Sequence, residues 1–342
     1  MSDNVAATPG QMAPSDHLAQ TGAPPAQRAS NPAIGYYFAV LNAIVSGFAI
    51  YINSIGVKLF ADSTLYTTLK NSVVGVALLI PFIFLATPRQ ELRRLNRRQW
   101  LLLLLITLIG GSFAYALDFR GLQISTAPTS AIVDHTQFLF VAIFAALTIG
   151  ERFSRVIWVA LGVLFIGLSL GITFKTVRLD SGVLYLLAGT ICGAAAAILI
   201  KVALRTVSVL TVMLFKMTLG AVVLLVWMAV AGRLGAVAHL STRQWEFVIV
   251  TGLILLAFTV TMIVGLRHAS ATGVVAISAG SPIITTLLVV LTRNTRISTT
   301  TWLGLGLVLV AVLMIYAFGR RQEMRAAQQS QPAPTLRKAA LT

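Results

Sequence analysis

Apolar residues run through this chain in unbroken stretches of about 18 to 25, one after another, with short polar gaps between them. At roughly 1.5 Å per residue, each stretch coiled as a helix crosses the ~30 Å hydrocarbon core of a bilayer. Ten such spans can be marked, at about 34–57, 64–86, 100–119, 126–148, 155–174, 182–203, 208–231, 245–266, 270–292 and 300–318. The pattern predicts an all-α polytopic membrane protein. Residues 1–33, rich in Ala, Pro, Gln and Ser, are expected to be a disordered tail, and residues 319–342 a polar, basic one. Without a basic start and an apolar core before Ile34, residues 1–33 do not read as a signal peptide.

A second pattern lies over the first. The stretch IGERFSRVIWVALG (Ile149–Gly162) is echoed by TRISTTTWLGLG (Thr295–Gly306) with Arg, Ser, Trp, Leu and Gly at the same spacing. A gapless shift of 144 residues superposes Arg152 on Arg296, Ser154 on Ser298, Trp158 on Trp302 and Leu161-Gly162 on Leu305-Gly306. The same shift aligns Gly121-Leu122 with Gly265-Leu266. The chain therefore divides into two halves, 34–174 and 181–318, of five spans each. Because five is odd, the second half enters the membrane inverted, an arrangement that recurs in transporters with a substrate site at the midplane.

Composition agrees with the pattern: 57% of residues are hydrophobic, 11% are charged, and mean hydropathy is +0.87. The net charge of +16 raises the question of nucleic acid, but its distribution answers it. Of 26 Lys and Arg, sixteen fall on the side of both termini, eight on the other side, and two, Lys70 and Lys216, inside spans. This bias, led by PRQELRRLNRRQ (Pro88–Gln99), places both termini in the cytoplasm and makes the lipid surface the partner of the positive charge. The lone cysteine, Cys192, excludes an intramolecular disulfide, and the four scattered histidines lack metal-ligand spacing. No nucleotide-binding loop, nucleophile elbow or HExxH motif is present, so neither a cofactor nor a metal is expected.

The run SAIVDHTQFLFVAIFAALTIGERFSRVIWVALGVLFIGLSLGI (Ser130–Ile172) resembles the end of an EamA domain, with Gly150-Glu151-Arg152 as its knot and Gly162 and Gly167 in the helix that follows. Tandem EamA domains characterise the ten-helix transporters of the drug/metabolite transporter superfamily, and the resemblance spans residues 34–318. It implies export of amino acids or other small metabolites across a bacterial inner membrane, with the YddG-type amino-acid exporters the nearest subgroup in size and character. It also implies that Lys70 (TLKNSVVG) and Lys216 (LFKMTLG) are the basic residues of the second helix of each repeat, and that Pro282 is the proline of the fourth. Two departures stand out: Phe138 aligns with Pro282, and Thr295 aligns with Glu151.

An ionisable side chain within a bilayer costs about 2.5–3.5 kcal/mol on insertion scales, so each needs a partner or water. Lys70 and Lys216 either snorkel toward opposite interfaces or line a path and meet a carboxylate. Asp134 and His135 sit mid-span, with Ser130, Asp134 and Gln137 on one helix face. Asp134 either lines the path or pairs with Lys70, Lys216 or His135, and His135 is the residue through which a proton could be coupled. Tyr115 (with Asp118), Asn42 and Ser46 (with Asn53), and Ser278 and Ser281 complete the polar set. Asn42 and Ser46 equally suit helix–helix hydrogen bonding, Pro282 is a kink and a candidate hinge, and Glu151 is expected to tie a loop rather than touch substrate.

The reading is a secondary transporter exporting small metabolites by alternating access. The alternatives are a multidrug or other metabolite exporter of the same superfamily and, from a different class, an intramembrane enzyme. The latter needs a nucleophile and base at matched depth, which Asp134-His135 does not supply, since neighbours on a helix point about 100° apart.

Overall fold

The structure, a computed structural model, describes residues 31–125, 133–170, 181–293 and 297–329. The expected disordered tail falls outside these residues except for its last three, and residues 330–342 of the second tail do likewise. The described residues form ten apolar helices: α1 (Pro32–Asn53), α2 (Ser63–Phe84), α3 (Arg97–Asp118), α4 (Val133–Ile149), α5 (Arg155–Leu170), α6 (Ser181–Ala203), α7 (Val209–Val230), α8 (Thr242–His268), α9 (Ala271–Thr292) and α10 (Thr299–Ala326). Eight of them are long and apolar enough to cross a membrane, and α4 and α5 are shorter.

Polar residues at the gaps start the helices. Asn31 caps α1 through Ala33 N–H, with Pro32 at the first helical position, where its missing donor costs nothing. Asn96 with Gln99 and Ser241 with Gln244 form capping boxes at α3 and α8. In the gap Pro88–Gln99 a surface helix, Ala86–Arg94, displays Arg89, Arg93 and Arg94 outward. Its Glu91 accepts hydrogen bonds from Ser208 N, Ser208 Oγ and Thr211 Oγ1 at 2.8, 2.5 and 2.5 Å, which docks it on the start of α7.

Packing follows the inverted repeat. α1, the first helix of one half, packs along α8, the third helix of the other, and α6 packs on α3 in the reciprocal way. α2 crosses α7 and α5 lies against α10, each helix meeting its own counterpart. The chain is thus two inverted five-helix repeats interleaved about a pseudo-two-fold axis, all α-helical among the described residues.

Two departures from the sequence reading are local. The tenth helix does not stop at residue 318: helical structure continues through RRQEMRAAQQ (Arg320–Gln329), which lacks Gly and Pro and is rich in good helix formers. The expected kink at Pro282 occurs just before it, since α9 consists of Ala271–Ser278 and Ser281–Arg293 joined by a turn. α4 breaks at the matching place, between His135 and Gln137, although Phe138 stands where α9 has its proline. There the Thr136 hydroxyl donates to Val133 O at 2.6 Å and occupies a carbonyl the helix ladder would use.

Both described chain ends lie on one face, tied by Tyr36 Oη donating to Glu323 Oε1 at 2.7 Å. On this terminal face the ends of α1, α6, α8, α9 and α10 join one continuous core that includes Tyr36, Leu204, Leu266, Ala269, Ala271 and Ile315. On the opposite face a separate small core joins α2, α7 and α8 through Phe60, Leu65, Tyr66, Leu69, Met228 and Val248.

Candidate functional site

The break in α4 presents the polar stripe. Asp134 is exposed beside the break. His135 and Gln137 are partly exposed beside it, and Ser130 lies outside the described residues. Asp134 is near enough to Asp118 at the end of α3 for their charges to interact, and Cys192 of α6 is near Asp118 in turn. α6 closes this corner with glycines. A methyl group at Gly189 would collide with Asp118 Oδ1, and one at Gly193 would stand 2.7 Å from Gln137 Nε2. The Asp118 Oδ1 atom is itself buried without a hydrogen-bond partner.

The two lysines stand apart from this pair. Lys216 lies with Nζ 5.7 Å from the centre of the Tyr115 ring, a cation–π arrangement one turn along α3 from Asp118. Lys70 is 7% exposed, donates to Asn53 Oδ1 at 3.2 Å and sits 5.1 Å from the Tyr66 ring centre. Tyr66 Oη donates to the same Asn53 oxygen at 2.7 Å. Among the described residues the one ion pair is Arg233–Asp62 at 3.2 Å, so neither lysine, nor His135, neutralises Asp134.

Other members of the polar set turn out to be fastenings. Asn42 is fully buried, donates to Phe258 O at 2.9 Å and Thr261 Oγ1 at 2.8 Å, and accepts from Ser278 Oγ at 2.8 Å. It staples α1, α8 and α9 together, the helix–helix bonding that its sequence pattern equally suits. Ser281 is buried, with its carbonyl against Gly47 of α1. Ser46 is partly exposed and away from the α4 stripe's recorded contacts. Pro282 lies in the first turn of the second half of α9.

Glu151 is placed by Gly150, whose φ of 68° ends α4 in the left-handed conformation that glycine adopts freely. Its carboxylate accepts from Ala271 N at 2.7 Å and Thr272 N at 3.3 Å, at the N-terminus of α9 in the other repeat. Burial pushes the Glu151 carboxyl up, while these two N–H donors and Lys201 pull it back. Sequence reasoning missed its companions. Glu323 of α10 accepts from Ser270 N at 3.1 and 3.2 Å, and Lys201 of α6 donates to Leu266 O and Ala269 O at 2.7 and 2.5 Å. Arg267 donates to Leu204 O and Val207 O. A cavity of about 330 Å³ opens beside this cluster, lined in part by Tyr36, Glu151, Arg152, Phe153, Thr272 and Glu323.

Comparison with known proteins covers most of the chain. The model of the EamA-like transporter family matches residues 33–173 and again residues 180–317. No curated protein matches. One solved crystal structure of a protein, 15% identical, superposes with a TM-score of 0.66 over 85% of this chain and 98% of that chain, a likeness of fold alone.

Proposed function

Because the chain belongs to the EamA-like transporter family, we propose that it is a secondary transporter exporting amino acids or related small metabolites from the cytoplasm by alternating access. The membrane is the bacterial inner membrane, with the terminal face cytoplasmic, as the arginine-rich gap and its outward Arg89, Arg93 and Arg94 favour.

The observation that carries the reading is Asp134: an exposed mid-span carboxylate without an ion-pair partner among the described residues, at a break both repeats share. A buried charge without a partner is costly, so such a group is kept where solvent or a ligand supplies one. With Asp118 beside it, the corner suits an ammonium group. Lys216 of α7, over the Tyr115 ring and free of any carboxylate within ion-pairing distance among the described residues, suits a carboxylate. A zwitterion carries both kinds of charge, which favours amino acids over neutral or purely cationic drugs. His135 beside Asp134 is the group available for a coupled proton.

Growth rescue of cells poisoned by excess single amino acids, or by drugs, tests the substrate class. Rescue from one or more amino acids, followed by flux of the same compounds in proteoliposomes, is the expected result. Rescue from drugs alone would replace this reading with multidrug export.

A further inference from the structure

We infer that Glu151 and Glu323 form a latch on the N-terminal half of α9, and that transport requires its release. The helix Ala271–Ser278 is a separate rod, because the turn at Ala279–Gly280 uncouples it from Ser281–Arg293. Its residues Ala271 through Ile277 are all buried, so the rod is packed on every side at the terminal end.

What holds the rod is concentrated at its tip. The first N–H groups of a helix lack intrahelical partners and carry the positive end of its dipole. Here Glu323 takes Ser270 N and Glu151 takes Ala271 N and Thr272 N, two carboxylates from different repeats on three successive amides. Lys201 takes the carbonyls of Leu266 and Ala269 at the end of α8, so the α8–α9 turn is gripped on both of its dipole ends. Charge-assisted bonds of this kind are stronger than neutral ones, and all of them act on a turn of a few residues. The 330 Å³ cavity beside the tip leaves room for it to move.

The latch also gives the sequence asymmetry a purpose. The 144-residue shift puts Thr295 where the first repeat has Glu151, so only one face of the inverted pair receives a carboxylate at this joint. Two otherwise equivalent ends are thereby made unequal, with the terminal end fastened by charge.

This inference rests on the transporter reading, but its test needs no substrate. The chain has one cysteine, Cys192, partly exposed on α6 beside Asp118. In vesicles of known orientation, a membrane-impermeant maleimide should label Cys192 from the terminal face about tenfold faster in Glu151→Gln/Glu323→Gln than in the wild type. Labelling from the other face should not rise, and Cys192→Ser sets the background. An unchanged terminal-face rate in the folded double variant overturns the latch, as does an equal rise from both faces, which is loosening of the whole bundle. Should the double variant not fold, Glu323→Gln alone, which keeps the bonds of Glu151, should show a smaller one-sided rise; no rise overturns the latch again. Faster labelling without flux of any solute would leave the latch standing and remove the export reading, while flux with unchanged labelling would remove only the latch.

Discussion

At the scale of single residues, polar side chains that look alike in the sequence divide by what they touch. Asn42 has both ends of its amide occupied inside the bundle. Asn42→Ala should lower stability by about 1–3 kcal/mol, since it removes three buried interhelical bonds and leaves Thr261 and Ser278 only the bonds to their own helices. Detergent thermal melts check this, and flux per folded molecule should stay near the wild-type value. Lys70 is bound to Asn53 under the Tyr66 ring, so Lys70→Met should cost little stability, provided Tyr66 keeps Asn53. A melt within about 1 kcal/mol of the wild type is expected, a lysine in such a place being no stronger than its hydrogen bond. Which residues were ionisable and mid-span was plain from the sequence. Their partners were not: nothing in the spacing of Lys70 points to Asn53, seventeen residues away on another helix. Glu323 was passed over because RRQEMR reads as a charged tail, and Lys201 because it ends a span where positive charge is ordinary. The one available signal was that residues 320–329 continue as good helix formers without Gly or Pro.

At the scale of elements, hydropathy located the ten helices, since unbroken apolar runs have few other fates. It could not locate both breaks. Pro282 announces the one in α9, whereas in α4 it rests on Thr136, a residue common in intact helices. The matching positions argue that the break belongs to the repeat rather than to the proline. Pro282→Ala should therefore leave amide exchange across Ala279–Ile283 faster than in the flanking helix, with flux within about twofold of the wild type. A protected, continuous α9 would show the proline to be its sole cause. α3, α7 and α10 also carry stretches of wider π-type turns, one of which holds Lys216. Such turns recur at functional positions in helices.

At the scale of the molecule, the 144-residue shift and the odd span count were enough to give an inverted repeat. The reciprocal packing of α1 on α8 and α6 on α3 is its three-dimensional form. The contacts that fasten the terminal end were not legible in the sequence, because they join the repeats across large separations, such as Glu151 on α9, 120 residues apart. The proposed orientation rests on charge: reporter fusions at Arg93 and at the C-terminus should both report the cytoplasm, and an external Arg93 would overturn it. The central claim is that solute passes by Asp134. Its most direct test is efflux of radiolabelled amino acids from proteoliposomes holding the wild type or Asp134→Asn, with equal folded protein in each. The account expects saturable efflux that falls at least about tenfold in the variant, as loss of one charge-assisted contact to the solute implies. Equal efflux from the two proteins would contradict it.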